Sequence, residues 1–301
     1  MEQSKIIVIG SSNMDMVVKS DRLPIPGETV LGGSFLMNPG GKGANQAIAA
    51  SRLGGNVIFI SKLGQDIFGD KYNALLKNEN IDSRYIFSDP SQPSGIALIM
   101  VDRDGENSIV VAPGANSALK TADIKKAQNE FKEAAFLLLQ LEIPMETVIY
   151  SATKASEEGI KVLLNPAPAN ELPEELLSSV YILTPNETEA GIISGITVND
   201  LDSARSAARV IRDKGVDIVV ITMGEKGAYI FSGNMEKHVP GYKVKANDTT
   251  AAGDVFNGAL VVALAEKFSL YKAVEFANKA ASFSVTKLGA QSSAPYRNEL
   301  S

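Results

Sequence analysis

A run of small residues near the C-terminus leads into an apolar helix and places an acidic side chain at the junction. Residues 247–254 read Asn-Asp-Thr-Thr-Ala-Ala-Gly-Asp, and an apolar stretch of helical period begins at Val255. Small residues let a ligand approach the backbone closely, and the first turn of a helix offers N–H groups and a dipole that favour an anion. Because Asp254 projects from that turn, the sequence predicts an anion site beside a carboxylate base. This combination suits phosphoryl transfer.

A second glycine cluster opens another predicted helix. Residues 40–43 read Gly-Gly-Lys-Gly and precede the helical pattern of residues 44–53. The cluster is not a Walker A loop, because its glycine spacing is wrong and no Ser or Thr follows the lysine. It is not a dinucleotide-binding fingerprint either, because Gln46 stands where the third glycine should be. Such a helix start is most often a tight turn, but Lys42 and Asn45 add donors suited to sugar hydroxyls.

Further polar side chains follow predicted buried strands. Asn13 and Asp15 come after the strand predicted at residues 5–10, and side chains two residues apart in an extended chain lie on one face. Glu142 follows the strand predicted at residues 136–139. Open α/β sheets bind ligands in the loops at the carboxyl ends of their parallel strands. Taken alone, Asn13 and Asp15 are better explained by capping or turn chemistry.

The segment after a later strand carries two possible metal ligands. Asn186 and Glu189 follow the strand predicted at residues 180–183 and would share one face of a helix. Oxygen ligands at that spacing suit a mostly hydrated Mg²⁺. Pro185 and Glu189 also favour helix starts, so a purely structural role is a reasonable alternative. The glycine-rich turn at residues 222–227 could hold a nucleotide phosphate, although such turns are common.

Composition and charge exclude several classes of function. The 301 residues, 45% of them apolar and 21% charged, suit one large α/β domain. A net charge of −6 argues against a nucleic-acid surface. The chain has no cysteine, which excludes disulfides, thiolate metal sites and cysteine nucleophiles. Its single histidine, His238, is flanked by polar and proline residues and is expected at the surface, so the chemistry must depend on carboxylates, amides and a hard metal.

The apolar runs are too short to cross a membrane. The longest, such as residues 134–139 and 259–265, fall far short of the ~18–20 residues that a span needs. Residues 1–5 lead straight into a strand and lack a signal-peptide pattern. We therefore expect a soluble, cytoplasmic protein without a membrane partner.

Short apolar strands alternate with helical patterns along the chain. Strands are predicted at residues 5–10, 57–63, 136–139, 161–164, 180–183 and 218–222, and helices at residues 44–53, 68–78, 201–214 and twice near the C-terminus. This alternation predicts a mainly parallel sheet that is covered by helices on both faces.

Two segments interrupt the alternation. Residues 15–35 are expected to be extended and turn-rich, with residues 29–31 extended, and residues 95–112 to form a hairpin with Asp-Gly in its turn. Together they could form a small sheet that lies over the main one as a lid. A small sheet with one apolar face needs a partner, so we expect a homodimer through the lid. An ordinary surface excursion is the alternative, and the pattern alone does not separate the two.

The two glycine segments resemble the signatures of the ribokinase-like (PfkB) carbohydrate kinases. The early signature is residues 40–45 and the late one residues 248–254, and the resemblance covers essentially the whole chain, including residues 165–169 and 184–187. The late motif of the family usually reads Gly-Ala-Gly-Asp, but here Ala251 replaces its first glycine, as is common in the ribokinase branch. The resemblance implies a three-layer α/β/α sandwich with a β-sheet lid. It also implies transfer of the γ-phosphoryl group of ATP to the 5-hydroxyl of ribose.

The resemblance also implies roles for residues at matching positions. Asp254 would be the catalytic base, and the anion hole would be formed by the amides of Ala251, Ala252, Gly253 and Asp254. The sugar would be held by Asn13, Asp15, Gly41, Lys42, Asn45 and Glu142. The nucleotide would contact Thr222, Gly224, Gly227, Gly253 and Asn278, with Asn186 and Glu189 near its phosphates and Mg²⁺. A potassium ion would lie among oxygens of Asp248, Thr250, Ser284, Lys287, Gly289 and Ser293, several of them backbone carbonyls.

Two alternatives remain open at this point. The first is a kinase of the same family for deoxyribose, fructose or a nucleoside. Asn13, Asp15 and Glu142 suit a hydroxyl-rich sugar, and the chain offers no obvious apolar pocket for a base. The second is a non-catalytic regulator that binds a sugar or a nucleotide. The presence of Asp254 argues against it, because a binding protein has no need for a base at the helix start.

Overall fold

The computed structural model describes residues 4–300, which form a large and a small β-sheet. The large sheet contains β1 (Lys5–Ile9), β4 (Asn56–Gly64), β5 (Asp82–Asp89), β8 (Ala134–Leu139), β9 (Lys161–Leu164), β10 (Ile182–Leu183), β11 (Ile218–Thr222), β12 (Gly227–Ser232) and β13 (Glu236–Pro240). The small sheet contains β2 (Asn13–Lys19), β3 (Ser34–Gly40), β6 (Gly95–Val101) and β7 (Asn107–Ala112). The helices are α1 (Lys42–Arg52), α2 (Ile67–Asn78), α3 (Thr121–Lys126), α4 (Gln128–Phe131), α5 (Met145–Glu157), α6 (Glu174–Leu177), α7 (Glu187–Ser194), α8 (Leu201–Asp213), α9 (Ala252–Ala265) and α10 (Leu270–Ser284).

The strand order of the large sheet creates one point where the chain reverses direction across it. The strands lie in the order β13-β12-β11-β10-β9-β8-β1-β4-β5. Neighbouring strands from β5 to β11 are parallel, whereas β12 is antiparallel to both of its neighbours. From β1 the chain moves outward to β4 and β5, and it then returns to β8 on the other side of β1. Ligands of open α/β sheets bind beyond the carboxyl ends of the strands at such a reversal.

The central strand β1 shows why helices cover both faces. Its side chains alternate, so that Ile6 and Val8 enter one hydrophobic core while Ile7 and Ile9 enter the other. The first core also contains α1, α2, α9 and α10, and the second contains α5, α7 and α8. The three-layer α/β/α sandwich predicted from the sequence is therefore confirmed.

The predicted strands of the large sheet all form, with small differences in length, and three further strands were not predicted. The edge strands β5 and β13 carry polar residues that weaken the apolar pattern, and His238 lies in β13. The helix α5 was also missed, because its buried face includes the small or hydroxyl side chains of Thr147, Ser151 and Ala152. No helix within residues 4–300 has the length and apolar character that a membrane crossing requires.

The small sheet has the strand order β3-β2-β6-β7. Its β6–β7 hairpin agrees with the predicted one, and Gly105 takes a φ of 84° in the turn. Residues 29–31, expected to be extended, instead lie in an irregular loop of residues 20–33, and β3 begins only at Ser34. Two prolines and several glycines in this loop prevent an earlier start of the strand.

Helix α1 packs unusually closely against both β1 and α9. A Cβ atom on Gly43 would lie 2.5 Å from the backbone carbon of Gly10. A Cβ atom on Gly258 in α9 would lie 2.8 Å from the Cβ of Ala49 and 2.9 Å from the carbonyl oxygen of Gln46. Because both glycines lack a side chain, the start of α1, the end of β1 and the start of α9 meet at one place.

Candidate active site

The Asp254 carboxylate lies in the first turn of α9 and is only 5% exposed. Its Oδ2 accepts a hydrogen bond from Nδ2 of Asn45 at 3.0 Å, and its Oδ1 accepts one from Nε2 of Gln46 at 2.9 Å. Because α9 begins at Ala252, the N–H groups of its first turn have no acceptor within the helix. The N–H of Ala252 donates to the carbonyl oxygen of Thr249 at 3.3 Å, so the start of α9 presents the carboxylate beside the free N–H groups of Gly253 and Asp254.

The residue before α9 adopts a strained backbone conformation. Ala251 has a φ of 59°, in the left-handed region that favours glycine. This conformation costs a residue with a Cβ atom roughly 1–2 kcal/mol. Such strain is typical of functional sites, where the surrounding structure holds the residue in place. It also explains why a glycine is common at this position of the motif.

Two residues from strand ends fix the start of α1. The Oγ of Ser11, just after β1, accepts a hydrogen bond from the N–H of Gly43 at 3.3 Å and donates one to Oε2 of Glu142 at 2.5 Å. The same Glu142 oxygen accepts the N–H of Lys42 at 3.0 Å. Glu142 therefore acts on the backbone at the α1 N-terminus, where its negative charge also suits the helix dipole.

Asn13 and Asp15 stand where the small sheet joins the large one. Asn13 Oδ1 accepts a hydrogen bond from Nδ2 of Asn116 at 2.7 Å, while Asn116 also binds both backbone groups of Ser12. The contact leaves the Nδ2 group of Asn13 as the available donor. Asp15 packs against Gly40, where an added Cβ atom would lie 2.1 Å from its Oδ2. The positive φ of Gly41, 89°, completes this turn.

A single lysine balances several carboxylates in this region. Burial acts to lower the pKa of Lys42, but the nearby carboxylates of Asp254, Glu142, Glu189 and Asp15 outweigh it, and the pKa is raised. Burial also raises the pKa of Asp254, whereas Lys42 and the hydrogen bonds from the two amides oppose that rise. Four carboxyl groups thus surround one lysine, and the region offers many hydrogen-bond acceptors to a neutral ligand rich in hydroxyl donors.

A cleft of about 980 Å³ lies on the other side of the α9 N-terminus. The nucleotide residues expected from the sequence mostly line it, namely Asn186, Thr222, Gly224, Gly227, Gly253 and Asn278. Asn278 also donates hydrogen bonds to the carbonyl oxygens of Val239 and Pro240, which ties α10 to β13. A second cleft, of about 1130 Å³, opens between the small sheet and residues 246–250 and includes Asp15.

Asn186 and Glu189 cap the helix that they begin. Asn186 Oδ1 accepts the N–H of Glu189 at 2.8 Å, and Glu189 Oε2 accepts the N–H of Asn186 at 2.9 Å. The structural role that the sequence left open is thus present. Within residues 4–300, no cluster of three or more acidic or histidine side chains is placed to hold a metal ion.

The segments expected to hold a monovalent cation are joined by one carboxylate. Asp248 Oδ1 accepts the N–H of Thr250 at 2.9 Å, and Oδ2 accepts the N–H of Gly289 at 2.9 Å. Ser284 and Ser293 are buried, whereas the Lys287 side chain points to Glu299 and pairs with it at 2.8 Å. The contribution of Lys287 to a cation site would therefore come from its backbone.

Five polar residues of the site were not predicted: Ser11, Gln46, Asn116, Gln140 and Asn165. Ser11, Gln140 and Asn165 each follow a strand of the large sheet, so their positions at carboxyl ends were a usable signal. No such signal marks Gln46, within a helix, or Asn116, in a short turn after β7.

Comparison with known proteins assigns the family. Residues 3–297 match the family described as pfkB family carbohydrate kinase. The chain belongs to this family. It is 45% identical to the ribokinase of Haemophilus influenzae, over 98% of this chain and 96% of that protein. It is 40% identical to the deoxyribokinase of Salmonella typhimurium, over 96% and 95%. The solved structure of Arabidopsis thaliana ribokinase complexed with ribose and ATP superimposes with a TM-score of 0.92 at 32% identity, covering 100% and 98% of the two chains.

The first testable prediction concerns Asp15 in this carbohydrate kinase. Burial, helped by Glu142 and Asp254, raises the pKa of Asp15 from 3.8 to about 7. Because the folded state binds this proton more tightly, the contribution of Asp15 to stability is fully present below about pH 4 and is lost as the pH rises to about 7. The Asp15→Asn variant should therefore gain stability relative to the wild type across this interval, as measured by thermal denaturation without ligand.

The exposed Asp213, at the end of α8, provides the control. Asp213→Asn removes one carboxylate far from Asp15 in the sequence and shows how much of any stability change follows from the loss of a surface charge alone. A constant difference between Asp15→Asn and the wild type over the same range would show that Asp15 does not hold a raised pKa.

Proposed function

We propose that this chain transfers the γ-phosphoryl group of ATP to the 5-hydroxyl of D-ribose and yields ribose 5-phosphate and ADP. The observation that carries the proposal is the position of Asp254. Its carboxylate accepts a hydrogen bond from Asn45 in α1, while Gly253, one residue earlier, lines the cleft that suits a nucleotide. A hydroxyl bound beside Asp254 would thus face a phosphate bound at the start of α9.

Asp254 acts as the general base of this reaction. It accepts a hydrogen bond from the sugar hydroxyl and takes its proton as the new O–P bond forms and the bond to the ADP oxygen breaks. The N–H groups of residues 251–254 form the anion hole and bind the oxygens of the transferring group, where losing one such donor typically costs roughly 10²–10³ in rate. Lys42, close to Asp254, adds positive charge on the same side.

The sugar is recognised by paired donors and acceptors. Asn116 donates a hydrogen bond to Oδ1 of Asn13, which leaves the Nδ2 group of Asn13 as a donor for the sugar. Asp15 offers carboxylate oxygens two residues further along β2. Gly41, Lys42, Asn45 and Glu142 complete the set. Polar sites built for a hydroxyl strongly reject analogues that lack it. This favours ribose, whereas the similarity to a deoxyribokinase makes 2-deoxyribose the second candidate.

Mg²⁺ accompanies ATP in this proposal and neutralises phosphate charge. Asn186 lines the cleft and Glu189 caps the same helix start, so these residues could contact a Mg²⁺ ion that would be held mainly by phosphate oxygens and water, as Mg²⁺ prefers. K⁺ would bind beside the anion hole, where the Asp248 carboxylate accepts the N–H groups of Thr250 and Gly289. The ligands expected there are oxygens, and Asp248 supplies their single carboxylate. Such a donor set suits a weakly charged ion.

The small sheet acts as a lid and binds a second copy of the chain. Its exposed side chains are unusually apolar: Val110 is 64% exposed, Phe35 60% and Ile109 52%. Apolar patches of this kind on a two-sided sheet mark protein contacts. A closed lid excludes water from the γ-phosphate and so limits wasteful hydrolysis of ATP. We place the protein in the cytoplasm, where ATP is available, without a nucleic-acid or membrane partner.

Replacing Asp254 with Asn tests the assigned base. The variant keeps the shape and the contact surface of the side chain but cannot take the hydroxyl proton, so kcat should fall by about 10²–10⁴. The dissociation constant of ribose, measured by calorimetry, should change little. Asp123→Asn is the matched control, because Asp123 is equally buried but pairs with Lys62.

The Asp123→Asn control should lower the stability of the protein and leave kcat unchanged. It therefore separates the effect of changing a buried carboxylate from the loss of the catalytic base. A near-normal kcat for Asp254→Asn would contradict the assignment.

Omission of Mg²⁺ from the same assay should abolish wild-type turnover, and replacement of K⁺ by Na⁺ should lower its kcat. Equal rates in the two monovalent salts would remove K⁺ from the proposal.

Light scattering tests the proposed dimer. The wild type should give a mass near twice the 32.0 kDa of one chain at micromolar concentration. Ile109 and Val110 are neighbours in β7 and point to opposite faces of the sheet. At least one of the variants Ile109→Asp and Val110→Asp should be monomeric. A monomeric wild type would overturn the dimer, and dimers in both variants would place the interface elsewhere.

A further inference from the structure

The Gln46 side chain lies directly behind Asp254 and is fully buried in α1. Its Nε2 is 2.9 Å from Oδ1 of Asp254 and 3.1 Å from Oδ1 of Asn165, which follows β9. Its Oε1 accepts a hydrogen bond from Nε2 of Gln140, which follows β8, at 2.6 Å. One amide thus connects the carboxylate in α9 with two strand ends of the large sheet.

The partners of Gln46 fix the orientation of its amide. An ionised carboxylate only accepts hydrogen bonds, so the Nε2 group must face Asp254. Asn165 takes the second proton of that group and donates its own Nδ2 to the carbonyl oxygen of Thr184 at 3.3 Å. A flipped Gln46 amide would place its oxygen against two acceptors and its nitrogen against the donor of Gln140. The geometry therefore allows one orientation.

Gln46 differs from the other amide that binds Asp254. Asn45 Oδ1 is buried and has no hydrogen-bond partner among residues 4–300. Both polar atoms of Gln46 are occupied by protein groups, and its side chain is inaccessible. Any effect of Gln46 on catalysis must therefore act through Asp254.

We propose that Gln46 is a positioning residue that holds the Asp254 carboxylate in one plane and keeps it ionised for proton transfer. A donor to the charged form of a buried acid stabilises that form. The other charged groups facing Asp254 are Lys42 in α1, Asp15 in β2, Glu142 after β8 and Glu189 in α7. Lys42 opposes the protonation of Asp254 but is shared among all four carboxylates, whereas the hydrogen bonds of Asn45 and Gln46 act on Asp254 alone and also fix the directions of its two oxygens. The inference rests on the proposed function.

The variants Gln46→Met and Gln46→Glu test this role. Met has the length of Gln but no donor, so the acidic limb of the kcat profile should move up by about one pH unit, with about tenfold lower kcat on that limb and recovery at higher pH. Glu keeps the shape and still accepts from Gln140, but it must share a proton with Asp254. Its acidic limb should therefore move further. The KM for ribose should change by less than about threefold, because one lost neutral contact outside the sugar site leaves Asn45 and Asp15 in place.

Thr147→Val is the matched control for buried hydrogen bonds. Thr147 is buried in α5 and donates to the carbonyl oxygen of Leu119, on the opposite face of the large sheet. It should lower the melting temperature and leave the pH profile of kcat unchanged. If Gln46→Met does not fold, Gln46→Glu carries the test because it preserves the volume.

A titration without substrate separates this inference from the proposed function. The Asp254 carboxyl carbon, assigned in ¹³C spectra by its loss in Asp254→Asn, should titrate at a higher pH in both Gln46 variants than in the wild type. That shift would support positioning even if ribose proved not to be the substrate. Titration curves and kcat profiles that superimpose on the wild type would overturn the proposal, as would a KM that rises as much as kcat falls.

Discussion

Asp254 is a carboxyl group buried inside the protein, and the groups around it stabilise its charged form. Asn45 and Gln46 each donate to one of its oxygens, Lys42 lies nearby, and the N-terminus of α9 adds the positive end of its dipole. An isolated buried carboxylate would take up a proton and lose its use as a base. The remaining elements of the site can be understood from the need to bring these groups to one carboxylate.

Glycine positions make that arrangement possible. Gly43 lets α1 begin against the backbone of Gly10, and Gly258 lets α9 lie against the backbone of α1. A methyl group at either position would move the helices apart by a sizeable fraction of its own diameter, and the amides of Asn45 and Gln46 would then lose contact with Asp254. The protonation state of the Asp254 carboxylate therefore depends on the close packing of α1 against β1 and α9. The reversal of strand order beside β1 supplies the space in front of it.

Charge also distinguishes the proposed sugar side of the α9 N-terminus from its nucleotide side. The sugar side is rich in carboxylates, which accept hydrogen bonds from hydroxyl groups. The nucleotide side offers backbone N–H groups, which donate hydrogen bonds to oxyanions. We therefore expect a neutral polyol to bind on the carboxylate-rich side of Asp254 and a polyphosphate to bind on the side of the N–H groups. The cation expected between residues 248–250 and Gly289 would add positive charge behind the same N-terminus, which is where charge develops during transfer.

The sequence predicted those features that depend on neighbouring residues. The α9 junction and the glycine start of α1 are local patterns, and the alternation of strands and helices was sufficient for the sandwich. The contacts of Gln46 and Asn116 could not be predicted, because they join residues 94 to 208 positions apart. Helix α5 was missed for a related reason. Its buried side chains are small because the helix packs against β8 and β9, so they do not form the apolar pattern of helical period that the sequence analysis relied on.

The central claim is that Asp254 takes the proton from a hydroxyl of ribose, and a measurement of ADP release tests it most directly. Wild-type protein with ATP, Mg²⁺ and K⁺ would be assayed with ribose, 2-deoxyribose, fructose and adenosine in turn, and without an acceptor. The account predicts the highest kcat/KM for ribose and very little ATP consumption in the absence of sugar. Preference for adenosine, or ATP consumption that does not depend on any acceptor, would contradict it.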